Sequence, residues 1–348
     1  MRRSAFGRTR GGEPVEAFEL EGGALRLTLL TYGVTLASLQ LADAPGGPVD
    51  VVLGFDAIEG WEASPAHLGG VVGRYANRIA GARFTLDGAL HRLLPNEGPN
   101  QLHGGPVGFD RRVWRGAPLE GGAPGAVFEL ESADGDQGYP GRLVARARYE
   151  IVGERELALV LEASGADRAT PVGLTQHAYW NLGGPGSGPA LGHVLELAAD
   201  RYLPLDGEHL PTGPLRDVAG TPFDFRRGRA LDPGPDAAHP ELAPFRGFDH
   251  PFELRGGEGA LRDVARAVHP PSGRTLALAT TAPSLQLYGG QFLGEGPGRR
   301  GWRHGPRAGF CIEPQRFPDG PNRPELGPAI LRPGEVYRWE TRWRFGTT

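Results

Sequence analysis

Glycine and proline interrupt this chain along its whole length. The sequence contains 56 Gly and 33 Pro in 348 residues. Proline cannot continue an α-helix, and glycine is at home in turns, so only short segments of regular structure fit between them. Apolar runs such as Leu157-Ala158-Leu159-Val160-Leu161 recur along the whole length, which excludes a disordered chain. Many short β-strands joined by loops are the reading that satisfies both facts.

Periodicity agrees. In Ala24-Leu25-Arg26-Leu27-Thr28-Leu29 the leucines fall on every second position and would share one sheet face. Residues 33–41 continue as a strand, and Arg83-Phe84-Thr85-Leu86, turned by Asp87-Gly88 into Leu90-His91-Arg92-Leu93-Leu94, predicts a β-hairpin. Further strands are expected at 126–131, 142–151, 156–164, 170–180, 192–199, 261–269, 275–281, 284–290, 308–313 and 335–345. The one helical segment, 56–63, is too short to organise a fold. The Gly/Pro-rich segments 183–190, 204–222, 232–247 and 294–307 read as loops on a functional rim. With no repeat and no composition shift, residues 1–348 are expected to form a single all-β domain of two large, packed antiparallel sheets.

Composition removes several kinds of chemistry. The formal net charge is −4 without long blocks of either sign, so neither nucleic acid nor an anionic membrane is an expected partner. Arginine is the only strong base, because the chain has no lysine, and Schiff-base catalysis is excluded. Cys311 is the only cysteine, which excludes an intramolecular disulfide and argues against a thiolate metal cluster. No segment approaches a membrane span, and a cytoplasmic enzyme is the default expectation.

Five segments concentrate polar groups with glycine, proline or aromatics. They are Gly73-Arg74-Tyr75-Ala76-Asn77-Arg78-Ile79, Asn100-Gln101-Leu102-His103-Gly104-Gly105, Leu174-Thr175-Gln176-His177-Ala178-Tyr179-Trp180-Asn181-Leu182, Gly247-Phe248-Asp249-His250-Pro251-Phe252 and Cys311-Ile312-Glu313-Pro314-Gln315-Arg316. Carboxylates and amides for hydroxyl groups, with flat rings for an apolar face, make the inventory of a sugar pocket. If 174–180 is extended, Thr175, His177 and Tyr179 project together, and the histidine is flanked by a hydroxyl and a phenol. The bland alternatives are a buried structural histidine, and ion pairs of Glu313 with Arg316 and of Asp249 with Arg246. His91, His193, His250 and His304 show no metal-ligand spacing and read as structural.

Taken in order, these segments resemble the aldose 1-epimerase (galactose mutarotase) family. Leu53-Gly54-Phe55-Asp56, Asp134-Gly135-Asp136-Gln137-Gly138-Tyr139-Pro140-Gly141, Gln286-Leu287-Tyr288 and Leu331-Arg332-Pro333-Gly334-Glu335 extend the resemblance over nearly the whole chain. Gln176 departs from it, standing where asparagine is common. The resemblance implies the large galactose mutarotase-like β-sandwich, an aldose substrate and no cofactor or metal. It implies His177 as general acid and Glu313 as general base, with Asn77, Arg78, His103, Asp249 and Gln286 around the sugar. For that chemistry His177 is expected to hold a proton near neutral pH, its pKa raised by a nearby carboxylate, while Glu313 stays ionised with help from donors or Arg78. A hexose 6-phosphate epimerase would instead need a cationic subsite, for which Arg299-Arg300-Gly301-Trp302-Arg303 is the candidate loop. A non-catalytic sugar-binding protein would not need both His177 and Glu313.

Overall fold

The strand Tyr337–Thr347 shows how the sequence dictates the architecture. Tyr337, Trp339, Thr341, Trp343 and Phe345 are buried, whereas Arg338, Glu340, Arg342 and Arg344 lie on the other face. That face is stitched by charge, with Arg342 donating to Glu156 at 3.1 Å. Each large side chain driven inward contributes about 1.5–3 kcal/mol, so a one-residue slip of register would expose the whole aromatic set. The strand pairs antiparallel with both Glu156–Ser164 and Arg274–Thr280, which places it at the centre of a nine-stranded sheet.

The coordinates are a computed structural model describing residues 1–44 and 46–348. Two five-stranded sheets accompany the nine-stranded one. One contains the strands Arg2–Arg8, Pro14–Gly22, Leu25–Leu30, Thr35–Leu41 and Val49–Asp50, all antiparallel neighbours in chain order. The other orders Arg216–Asp217, Ala199–Tyr202, Asp249–Leu254, Ser284–Tyr288 and Cys311–Gln315. A single apolar cluster draws on all three sheets, for example Leu27 and Leu39, Phe128 and Trp343, and Phe252 and Leu287. The antiparallel sheets around a shared core that the sequence reading expects are present, as three large sheets where two were expected.

Several strands depart from expectation, each for a local reason. The segment 170–180 is extended but is not one strand. Thr170–Pro171 pairs with Ile330–Leu331, Thr175–Gln176 pairs with Val71–Val72, and Trp180 bridges Val52 and Phe310. The segment 192–199 continues to Tyr202 and changes sheets: Val194–Leu197 joins the nine-stranded sheet and Ala199–Tyr202 a five-stranded one. The strand expected at 308–313 is shifted to Cys311–Gln315. Arg2–Arg8 and Arg115–Pro118 carry too few apolar residues to announce themselves, and both are edge strands.

Arg74 belongs to this framework. It is fully buried and donates to Pro140 O, Gly141 O and Ala133 O and to the hydroxyls of Ser132 and Thr170, at 2.5–3.1 Å. Replacing it by methionine would strand several buried acceptors at once. R74M is expected to lose at least about 3 kcal/mol of stability, measured by urea denaturation.

Candidate active site

Sheet geometry assembles one wall of the site. In the second five-stranded sheet Gln286 is paired with both Pro251 and Glu313, and Tyr288 with both Asp249 and Cys311. Residues two apart on a strand share a face. Asp249, Gln286, Tyr288, Cys311 and Glu313 therefore project together, while Phe252, Leu285, Leu287 and Ile312 enter the core cluster.

The opposite wall comes from loops. Asn77 and His103 both adopt left-handed backbone, at φ 65° and 51°. They are tied by Asn77 N donating to His103 Nδ1 at 3.1 Å and His103 N donating to Asn77 O at 3.1 Å. Gly104 permits this approach: a Cβ there would sit 1.9 Å from the Gly73 carbonyl oxygen. His177 is held between these walls by backbone bonds to the 69–70 segment, His177 N to Gly70 O at 2.9 Å and Gly69 N to His177 O at 2.8 Å.

The result is a cavity of about 260 Å³. Asn77, Arg78, His103, His177, Asp249, Gln286 and Glu313 all line it. A hydrogen-bonded row runs along its wall, with Asn77 Nδ2 donating to Gln286 Oε1 at 3.2 Å and Gln286 Nε2 to Asp249 Oδ1 at 2.6 Å. The Arg78 guanidinium forks onto Glu97 at 2.6 and 2.7 Å. His177 Nε2 lies 3.8 Å from Glu313 Oε2, and the imidazole stacks on the Tyr179 ring at 5.2 Å. The Thr175 hydroxyl is turned away and donates to Pro314 O at 2.7 Å, so only the phenol of the expected pair flanks the histidine.

The bland ion pairs do not form. Arg316 reaches Glu258 at 3.4 Å and Val172 O, and Arg246 lies over the Phe292 ring. Of the other histidines, His193 accepts from Leu182 N and faces Ala190 O, and His250 is fully buried and accepts from Asp249 N. His91 stacks on Phe84 and His304 meets Phe55 edge to face, all consistent with structural roles.

Four lining residues with polar or aromatic side chains have no counterpart in the sequence reading: His67, Glu97, His209 and Phe292. His67 Nδ1 lies 2.7 Å from Asp110 Oδ2, and its ring faces that of His177 at 6.0 Å. His209 Nδ1 lies 3.0 Å from Asp249 Oδ2. It comes from the 204–222 loop, one of the expected rims. Segments 183–190, 232–247 and 294–307 contribute no lining residue, although Phe245 backs the His209 ring. Arg299 is buried in an ion pair with Asp50, and neither Arg300 nor Arg303 reaches the cavity.

Burial sets the proton affinities, contrary to expectation. It pushes the Glu313 carboxyl well above the usual carboxylate range, helped by the Asp249 charge. It pulls His177 down to about 3, with His67 adding to the effect. Arg78 is occupied by Glu97 and does not hold Glu313 ionised. Burial pushes Asp249 up most strongly, but His209, Arg78 and His250 together leave that carboxylate below its usual value. The site therefore favours neutral His177 and protonated Glu313, because removing two charges from water costs more than their attraction returns.

Comparison with known proteins fits this geometry. The aldose 1-epimerase family profile matches residues 16–344. Galactose mutarotase of Bos taurus is 41% identical over 336 residues, spanning 96% of this chain and 95% of the relative. Aldose 1-epimerase of Escherichia coli K12 is 36% identical, spanning 96% of each. The crystal structure of an aldose epimerase homologue from C. elegans superposes with a TM-score of 0.86 at 32% identity, covering 95% of this chain and 99% of that one. The chain belongs to the aldose 1-epimerase family, isomerases that interconvert the α and β anomers of aldoses.

Proposed function

We propose that this chain, acting as a single domain, equilibrates the anomers of free aldoses such as galactose and glucose, with Glu313 as general base and His177 as general acid. The observation that carries this reading is the 3.8 Å approach of His177 Nε2 to Glu313 Oε2, both facing one cavity rich in hydroxyl-binding groups. Glu313 removes the C1 hydroxyl proton while imidazolium His177 protonates the ring oxygen. The C1–O5 bond breaks, leaving an open-chain aldehyde. After rotation about C1–C2 the ring oxygen attacks the other carbonyl face, and both protons return.

Ring opening starts from carboxylate Glu313 and imidazolium His177 and leaves the neutral pair, which is the pair that burial favours. In water a glutamate is the weaker base by about two pKa units. Burial raises Glu313 and lowers His177, which removes the thermodynamic bias against moving a proton onto the carboxylate. Each transfer is assigned about 10²–10⁴ in rate. Asn77, Arg78, His103, Asp249 and Gln286 are assigned to the sugar hydroxyls, Arg78 being held rigid by Glu97.

No cofactor, nucleic acid or membrane enters this reading. Among the described residues no helix is long and apolar enough to cross a membrane, and a single cysteine suits a reducing cytoplasm. Among the described residues Arg78 is the only arginine at the cavity, and it is already paired, so the reading favours an unphosphorylated sugar. Polarimetry on freshly dissolved α-D-glucose and α-D-galactose should show rapid anomer exchange. Glucose 6-phosphate should be slower by at least about tenfold in kcat/KM, the equivalent of about 1.4 kcal/mol. Faster turnover of the phosphate ester would overturn the free-aldose assignment.

A further inference from the structure

We propose that His177, Cys311 and Glu313 form a zinc-binding site, and that zinc held there stops anomer exchange. Cys311 and Glu313 are two apart on the strand Cys311–Gln315 and project from the same face. His177 crosses above them. Cys311 Sγ lies 3.7 Å from His177 Nδ1, and Glu313 Oε2 lies 3.8 Å from His177 Nε2. One donor atom from each of the three residues falls within 4.8 Å of the others. Zinc takes one imidazole nitrogen, so whichever of Nδ1 and Nε2 it uses, side-chain rotation must bring the farther partner from within 4.8 Å to the roughly 3.3–3.6 Å set by tetrahedral bonds of about 2.0–2.3 Å.

The donor chemistry selects the ion. Sulfur, imidazole nitrogen and carboxylate oxygen together match zinc, whereas magnesium and calcium require oxygen throughout. A second observation points to a ligand: Glu313 Oε2 is buried without any hydrogen-bond partner. Three protein ligands leave a fourth position, and His177 and Glu313 both line the cavity, which provides the entry path and room for a water there. On binding, the Cys311 thiol and the Glu313 carboxyl each give up a proton to solvent. One thiolate, one carboxylate and a neutral imidazole then balance the dication, so no net charge remains buried.

Inhibition rests on the acid–base reading above, because the ion would occupy both proton carriers. The site itself does not, and cobalt(II) tests it separately. Wild-type protein titrated with cobalt should develop a thiolate-to-cobalt charge-transfer band that is absent in C311A and C311S. In polarimetry, zinc should abolish exchange and a chelator should restore it. Because Cys311 Sγ lies 3.7 Å from His177 Nδ1, C311A is referred to its own zinc-free rate. Its apparent inhibition constant for zinc should rise by at least about tenfold, since even indirect partners of a metal contribute that much. A folded wild-type protein without the cobalt–thiolate band overturns the site. Equal zinc sensitivity of wild type and C311A overturns it as well. A protein that forms the band yet exchanges no aldose anomer would instead refute the proposed function and leave the site standing.

Discussion

Replacing Glu313 by glutamine is expected to abolish anomer exchange while leaving the protein at least as stable as wild type. Glutamine fills the same volume and can still hydrogen-bond, but it cannot take the proton from the C1 hydroxyl. The loss of rate should reach at least about 10²–10⁴. Stability should move the other way because Glu313 is fully buried with an unpaired Oε2. Its carboxyl is raised in the folded protein above the ordinary 4.5, so its protonated form is the one that folding favours. Its contribution is complete below pH 4.5 and is lost as pH rises through the folded-state pKa. E313Q has no such loss. Urea denaturation should show the variant and wild type alike in acid and the variant more stable at pH 7. A variant that loses activity by unfolding would show the opposite.

His177→Gln is the second large effect. The histidine is a proton carrier in this reading, whereas Asn77, Arg78, His103, Asp249 and Gln286 hold the sugar. H177Q should therefore lower kcat by about 10²–10⁴ with little change in KM, the signature of an interaction made in the transition state. The stack with Tyr179 would be lost, but the backbone bonds of residue 177 to the 69–70 segment do not depend on its side chain. Initial rates over a range of α-D-galactose concentrations separate the two parameters. A raised KM with unchanged kcat would make His177 a binding group and sink its role as acid.

Much of the fold was legible because amphipathic strands write their own faces. Tyr337–Thr347 alternates so cleanly that its buried set can be read directly, and the hairpin Arg83–Leu86 with Ala89–Arg92 follows from Asp87-Gly88. What alternation cannot supply is the identity of the neighbour. The segment 170–180 is extended as expected, yet it exchanges partners every few residues.

The site divides in the same way. Its seven expected residues lie in compact motifs, and the structure gathers them in one cavity. His67 and His209 were illegible because what makes each notable is a distant partner: Asp110 for one, Asp249 for the other. The arginines of 294–307 looked available in sequence, but Arg299 is consumed by Asp50. Protonation was misjudged for a related reason. A motif reports which titratable groups are present, and only the fold reports how dry their surroundings are.

The measurement that bears most directly on the acid–base pair is polarimetry of freshly dissolved α-D-galactose with wild type, E313Q, H177Q and the double variant E313Q/H177Q. Two groups that move protons in one concerted step act as a unit, so losing the second should add little to losing the first. The expected result is fast exchange by wild type and a residual rate in the double variant close to that of either single variant. Near-wild-type exchange by E313Q, or a double variant slowed by the full product of the two single losses, would contradict it.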